Sequence, residues 1–438
     1  MSAVRQEFTA VIEDLSHDGR GVTRIDGKTV FVGGALPGET VRFLRLKKSR
    51  RFDEGEALAV ENPAANRVEP GCVHFGTCGG CSMQHLEPAA QIRAKQKVLA
   101  DNLERLGKVR PDRWLEPLVA EPWGYRRRAR LGVKYVRKKG KVLVGFRERH
   151  SPYLAELDGC PVLAAPVGNL LRPLAQLVEG LSVRERIPQF EVSVADNATA
   201  IVVRHLDPLS NDDLERLRGF ARLHGVEFHL QHGGPDSIRP LDEASPLHYE
   251  IPAHGVRIHF EPSDFIQVNR HINNAMIDHA LALLDLEGDE TVLDLFCGLG
   301  NFTLPVARHA KQVVGVEGDE GLVQRARDNA ARNGIGNTAF HAANLFESIA
   351  DYPWAKRAYD RVLLDPPRAG AELVCSEIER FNAPRIVYVS CHPGTLARDA
   401  GILVNDKGYR LVAAGVMDMF PHTAHVESIA LFERPHGR

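Results

Sequence analysis

Hydrophobic and polar positions alternate in short runs along the first 60 residues. Runs at 7–15, 21–25, 29–32, 41–47 and 54–60 are broken by turn signals at Asp26-Gly27, Gly33-Gly34 and Pro37-Gly38. That spacing predicts a small antiparallel β-barrel of the oligonucleotide-binding type. Residues 88–106 have helical spacing, with Pro88 early and an apolar stripe at Ile92, Leu99, Leu103 and Leu106. Residues 125–260 mix both periods and support no more than an α+β arrangement. From Asp289 the pattern becomes a regular alternation of strands and helices. Strands are predicted at 291–296, 312–317, 338–342, 361–365 and 385–390, and a closing antiparallel pair at 410–417 and 426–433. Strand–helix alternation implies a doubly wound parallel sheet with ligands at the carboxyl ends of its strands.

A chain of 438 residues exceeds one ordinary core. We divide it into a barrel (1–62), a central α+β domain (63–262) and a Rossmann-like α/β domain (263–438). No apolar run reaches membrane-spanning length, so no membrane partner is expected. The start, Met1-Ser2-Ala3-Val4-Arg5-Gln6-Glu7, has no signal-peptide core, and the cytoplasm is the expected compartment. The net charge of −2 hides two basic blocks without an acidic residue, Arg42 to Arg51 and Tyr125 to Lys141. Both point to a polyanionic partner.

The chemistry concentrates near the end. In Asp294-Leu295-Phe296-Cys297-Gly298-Leu299-Gly300-Asn301-Phe302 glycines follow a strand and open a helix, and Glu317 ends the next strand, where a carboxylate can accept ribose hydroxyls. Thr303 stands where a dinucleotide fingerprint has its third glycine, which disfavours NAD. The expected ligand is S-adenosylmethionine, with Asn344 near its adenine edge. Three segments share the same rim: Asp365-Pro366-Pro367-Arg368, Ser390-Cys391-His392-Pro393-Gly394 and Phe420-Pro421-His422-Thr423-Ala424-His425-Val426-Glu427. A cysteine and a glutamate aimed at a methyl donor suit the C5 carbon of uracil, which is too weak a nucleophile by itself. A thiolate adding at C6 activates C5, and a base then removes the C5 proton so that the cysteine leaves. A thiol of pKa ~8.5 is only about 3% ionised at neutral pH, so Cys391 needs help, with Arg368 and the cationic cofactor as candidate sources. Cys297 and Cys375 are expected to be structural, and His392, His422 and His425 to orient neighbours.

Cys72, Cys78, Cys81 and the distant Cys160 supply four thiolates, enough for zinc or an iron–sulfur cluster. Spacing does not choose between them.

The ordered motifs DLFCGLGNF, DPPR, SCHPGT and FPHTAHVE resemble the RNA uracil-5-methyltransferase family over the whole last domain. The resemblance implies that Cys391 is the nucleophile and Glu427 the base. It further implies that Gln267, Phe296, Asn301, Glu317, Asn344 and Asp365 bind S-adenosylmethionine. Pro367 departs from the alanine of many ribosomal members and touches none of these roles. The resemblance also tips the four cysteines, Cys72, Cys78, Cys81 and Cys160, to a [4Fe–4S] cluster, with zinc the alternative. A barrel (a TRAM domain) together with the cluster cysteines is similar to the branch that methylates uracil-1939 of 23S rRNA, and there the segment near 93–122 packs with the catalytic domain. The expected partner is 23S rRNA and the expected state a monomer. The alternatives are the same chemistry on tRNA or another 23S position, and a non-catalytic metal-bearing RNA-binding protein.

Overall fold

The computed structural model describes residues 6–434. They form two compact units, one comprising the residues up to Val98 with Phe146–Ala155 and Phe420–His425, the other Leu99–Gly145, Glu156–Met419 and the chain from Val426 onward.

The first unit contains the barrel strands β1 (Glu7–Val11), β2 (Asp14–Leu15), β3 (Gly21–Ile25), β4 (Lys28–Gly33), β5 (Thr40–Lys48) and β6 (Phe52–Val60), in the order β1-β5-β6-β4-β3-β2. The sheet rolls until β1 meets β3, where the Thr23 hydroxyl donates to the Val11 carbonyl at 2.8 Å. Ile12, Val30, Val32, Val41 and Phe43 fill the interior. One pairing corrects the antiparallel expectation: β4 and β6 run parallel, Thr29 opposite Phe52. The intervening β5 pairs antiparallel with β6, which returns it alongside β4 in the same sense.

Helix α1 (Pro88–Asn102) ends in a wider π-type turn over Leu103–Gly107. Leu99 and Leu103 are buried as expected, but Leu106 is 62% exposed. The wider winding rotates the last residues of the stripe away from the packed face. Strand β7 (Arg113–Trp114) follows. Next comes a mixed sheet of β8 (Arg128–Val136), β9 (Lys141–Gly145), β10 (Gln189–Val194), β11 (Thr199–Arg204), β12 (Glu227–Gln231) and β13 (Arg239–Pro240), ordered β13-β12-β11-β10-β8-β9. Helices α2 (Leu171–Glu179) and α3 (Asn211–His224) accompany it, the latter opened by a Ser210–Asp213 capping box. A hairpin of β14 (His248–Ile251) and β15 (Val256–His259) and helix α4 (Arg270–Leu284) lead into the last domain.

There the elements are β16 (Thr291–Leu295), α5 (Thr303–Ala307), β17 (Gln312–Glu317), α6 (Glu320–Arg332), β18 (Thr338–Ala342), β19 (Arg361–Leu364), α7 (Glu372–Ser376), β20 (Arg385–Ser390), α8 (Pro393–Gly401), β21 (Arg410–Met417) and β22 (Glu427–Glu433). The sheet order is β18-β17-β16-β19-β20-β22-β21-β7. The first five are parallel, β22 inserts antiparallel between β20 and β21, and β7 extends the far edge parallel to β21. Val292, Leu293, Val313, Val314, Val362, Leu363, Ile386 and Val387 are wholly buried, the continuous apolar runs that a sheet covered on both faces demands. Residues 107–118 pack with this domain: Asn405 Nδ2 donates to the Gly107 carbonyl at 3.1 Å and Leu115 N–H to the Ala414 carbonyl at 2.9 Å. Among the described residues no helix is long and apolar enough to cross a membrane.

The basic blocks fare differently. In the second, Arg127 pairs with Asp196, Arg128 and Arg130 with Glu191, Arg137 with Glu185, and Lys139 and Lys141 with Glu156. Four carboxylates thus offset part of this block's charge, and Arg130, Arg137 and Lys139 keep exposed side chains. In the first, Arg42, Arg45 and Lys47 pair with Glu7, Asp53 and Glu54, while Lys48, Arg50 and Arg51 are exposed.

Candidate active site

The glycine loop leaves β16 at Leu295 and is tied back to β17 by Phe296 and Cys297 N–H groups, which donate to the Val316 carbonyl at 2.8 and 3.1 Å. Phe296 and Gly300 have φ of +67° and +89°. Glycine takes such a conformation freely, whereas Phe296 carries about 1–2 kcal/mol of strain there. Its ring lies 5.9 Å from that of Phe346. The Glu317 carboxylate accepts from Gly298 N–H at 3.1 Å and Gly318 N–H at 2.7 Å, so it shapes the loop. Thr303 explains the missing third glycine: its hydroxyl donates to Asp294 Oδ2 at 2.5 Å.

Asn301 is held by residues the motifs did not reveal. Its Oδ1 accepts from the Tyr249 hydroxyl at 2.9 Å, and its amide exchanges hydrogen bonds with Asn273 at 2.9 and 3.1 Å. Half-buried Gln267 lines a small recess with Tyr249, Asn273, Arg127 and Arg270, so Gln267 and Asn301 share two neighbours. Exposed Asn344 follows β18 and turns its side chain onto its own loop, where Oδ1 accepts from Phe346 N–H at 3.1 Å.

Asp365, Cys391 and Glu427 meet because their strands are neighbours. Asp365 follows β19, Cys391 follows β20, and Glu427 opens β22. The register pairs Ser390 with Ser428, which places Cys391 and Glu427 beside each other across the ladder. Glu427 is buried and Cys391 half-buried. Burial first, then the Glu427 and Asp365 carboxylates, push the Cys391 thiol up to about 11, and the Arg368 guanidinium pulls it down. The expected help from Arg368 is therefore present but outweighed. Cys297 and Cys375 are buried and their thiols are pushed far up, the inert state expected of them. His392 caps α8, its Nδ1 accepting from Thr395 N–H at 3.2 Å. In the first unit, the His422 N–H donates to Gln91 Oε1 at 2.9 Å and the His425 ring packs 5.0 Å from Phe420.

Asp294 and Asp365 also sit at these strand ends. Burial raises both carboxyls to about 7, and for Asp294 the neighbouring Asp365 and Glu317 add to it. Asp294 Oδ1 is buried without a hydrogen-bond partner among the described residues. A rim of carboxyls that ionise reluctantly is matched by a cationic ligand, as a sulfonium with an ammonium group is. Between pH 4 and 7 the folded protein keeps protons that the unfolded chain releases, so these groups lower stability progressively over that window, and a bound cation offsets the loss above pH 7. S-adenosylmethionine affinity is therefore expected to weaken from pH 8 to pH 6, by up to about tenfold per unit for one coupled proton. Calorimetric titration checks this, with S-adenosylhomocysteine, which lacks the sulfonium charge, as the less pH-dependent control. A flat profile for both ligands would remove Asp294 and Asp365 from the binding role.

Of the four outlying cysteines, Cys72, Cys78 and Cys81 lie half-buried in a turn-rich loop of the first unit. That loop is closed by Cys78 N–H donating to the His74 carbonyl at 2.9 Å, and Gly80 N–H points at Cys78 Sγ at 3.4 Å. Cys160 belongs to the second unit, its N–H donating to the Gly168 carbonyl at 2.8 Å. Among the described residues no group of three or more His, Cys, Asp or Glu side chains is gathered tightly enough to hold a metal ion.

With this geometry in place, comparison with known proteins is decisive. The chain is 54% identical to the 23S rRNA (uracil(1939)-C(5))-methyltransferase RlmD of Alkalilimnicola ehrlichii, over 98% of this chain and 97% of that one. It belongs to the RlmD family of 23S rRNA (uracil-C5)-methyltransferases. The Xanthomonas euvesicatoria pv. vesicatoria member is 52% identical over 98% of both chains. The family model described as tRNA (Uracil-5-)-methyltransferase matches residues 247–435, and the TRAM domain model residues 2–58. The tRNA (uracil-54, C5)-methyltransferase of Pyrococcus abyssi, solved with S-adenosyl-L-homocysteine, shares the fold with a TM-score of 0.74 at 23% identity, covering 97% of this chain and 100% of that one. The barrel is thus a TRAM domain, and the last domain is that of an S-adenosylmethionine-dependent methyltransferase.

Proposed function

We propose that the enzyme methylates C5 of the uracil equivalent to position 1939 in 23S rRNA, through a covalent bond between Cys391 and uracil C6. The observation that carries the reading is the placement of Cys391 and Glu427 side by side at the ends of β20 and β22, on the rim that also bears Asp294, Glu317 and Asp365. S-adenosylmethionine supplies an electrophilic methyl group on a sulfonium. Gln267, Phe296, Asn301, Glu317, Asn344 and Asp365 form its binding set. The Cys391 thiolate adds to C6, pushing electrons toward C5, which then takes the methyl group. Glu427 removes the C5 proton, the C6–S bond breaks, and the thiolate returns. With the thiol pushed up to about 11, only about one molecule in 10⁴ is ionised at pH 7 without ligand. A cation bound against Glu427 and Asp365 counters their effect, so the nucleophile is activated once the methyl donor is in place. The target base must leave its stack to reach Cys391, at a cost of a few kcal/mol. The exposed Lys48, Arg50 and Arg51 of the TRAM barrel are suited to binding RNA phosphates. An rRNA substrate places the enzyme in the cytoplasm, and we take it to act as a monomer. Mass mapping of rRNA and tRNA from a deletion strain tests the assignment. Loss of 5-methyluridine at 1939 alone is expected, and loss at another site would redirect it.

We further infer that Cys72, Cys78, Cys81 and Cys160 hold a [4Fe–4S] cluster. Four thiolates, an N–H directed at Cys78 sulfur and a turn-rich loop support this, and the donor chemistry rather than a preassembled cage carries it. Its part is structural or RNA-positioning, because Cys391 and Glu427 already complete a polar mechanism. Anaerobically purified protein is expected to contain about four irons and four acid-labile sulfides per chain. Zinc at one per chain without sulfide would replace the cluster by a zinc site.

A further inference from the structure

Asp399 takes no part in the chemistry above, yet it is a wholly buried carboxyl eight residues beyond Cys391. Both its oxygens are engaged. Oδ2 accepts from the Tyr388 hydroxyl at 2.6 Å and from Ala371 N–H at 2.7 Å, and Oδ1 accepts from Arg398 Nε at 2.8 Å. Arg398 in turn donates to the Ala369 carbonyl at 2.9 Å and pairs with Glu372 at 3.0 Å. Three pieces of chain converge on this one carboxylate. Tyr388 lies on β20, three residues before Cys391; Asp399 lies on α8, which starts just after Cys391; and Ala369 and Ala371 close the loop that carries Arg368. The loop is drawn so tightly onto α8 that a Cβ at Gly370, whose φ is +78°, would fall 2.7 Å from Asp399 Oδ2 and from Arg398 Nη2.

A buried carboxylate is costly unless fully paired, and this one is satisfied only when strand, loop and helix are in register. We propose that Asp399 is a positioning residue: it clamps the loop that carries Arg368 to the strand and helix flanking Cys391, and so fixes where the Arg368 charge stands relative to the Cys391 thiol. The inference rests on the reading of Cys391 as nucleophile, but its test does not pass through catalysis.

The test is alkylation of the ligand-free full-length protein with iodoacetamide over a range of pH, followed at the Cys391 peptide by mass spectrometry. Arg368→Gln is expected to slow alkylation at pH 8 by about three- to tenfold. Asp399→Asn is expected to slow it to a similar extent, and Arg398→Gln, at a half-exposed side chain, more weakly. The double variant Asp399→Asn/Arg368→Gln should be no slower than the slower single variant, because both act through one guanidinium. Loosening of the loop alone would expose the thiol and speed alkylation, the opposite sign. Acceleration in a folded Asp399 or Arg398 variant, an unchanged rate, or multiplying effects in the double variant would each overturn the proposal. If Asp399→Asn fails to fold by circular dichroism, Arg398→Gln decides alone. Methyl transfer retained by Cys391→Ala would remove the nucleophile reading while leaving this result interpretable.

Discussion

A Cys391→Ala variant is expected to lose methyl transfer to 23S rRNA by on the order of 10⁴–10⁶-fold, the scale of losing a covalent nucleophile. Its affinity for S-adenosylmethionine should change little, because the carboxyls and the glycine loop proposed for that site lie at the ends of β16, β17 and β19. The fold should survive, since Cys391 is half-buried at a strand end and its removal leaves no large interior cavity. The separation of binding from turnover gives the prediction its force. Without addition at C6, the C5 carbon has no enolate character, and no rearrangement of the remaining side chains supplies it. Transfer of tritiated methyl groups from the donor to 23S rRNA fragments measures the loss, and calorimetry the retained affinity. Full activity in the alanine variant would exclude the covalent mechanism.

Much of the last domain was legible because parallel strands covered on both faces need unbroken apolar runs, and those runs end in the residues that do chemistry. The antiparallel β21 and β22 were readable for the same reason. Less visible were features created by distant pairings. Arg127 finds Asp196 69 residues away, and a basic block read along the chain cannot show that its carboxylates arrive from later strands. The two-residue β7 is too short to carry a period, and its place beside β21 follows from docking of residues 107–118. The parallel β4–β6 pair depends on how the barrel rolls. In the candidate site, Cys391, Glu427 and Asp365 stood out by residue type. Tyr249 and Asn273, which hold Asn301 from 52 and 28 residues upstream, did not. A tyrosine on a hairpin and an asparagine inside a helix carry no signal until the fold brings them to the loop. Asp399 is hidden in the same way, as one charged residue on a helix that sequence alone would leave facing water.

Glu427→Gln should produce a different failure from Cys391→Ala, and the difference identifies its role. Glutamine preserves the size of a buried side chain that opens β22 and pairs with Met417 across the sheet, but it cannot accept the C5 proton. Addition of Cys391 to C6 and transfer of the methyl group to C5 need no proton to leave C5, so both steps should proceed. The last step should stall, with the C6–S bond intact and the methylated, still protonated C5 beside it. Turnover is expected to fall by about 10²–10⁴-fold, the range for loss of a general base. Incubation with S-adenosylmethionine and an rRNA fragment should yield a retarded band on a denaturing gel, carrying protein, RNA and one methyl group by mass. Release of S-adenosylhomocysteine should stop near one per enzyme. The double variant Cys391→Ala/Glu427→Gln should give no such band, which ties the adduct to this cysteine. Normal turnover in Glu427→Gln would assign the base elsewhere on the rim. A slow variant without any adduct would mean that Glu427 acts before methyl transfer by orienting Cys391 or the target base, because its charge opposes ionisation of the thiol and its loss would not slow addition. The removal of that carboxylate charge should by itself make Cys391 easier to ionise, so the stalled adduct should form at lower pH than the wild-type reaction requires.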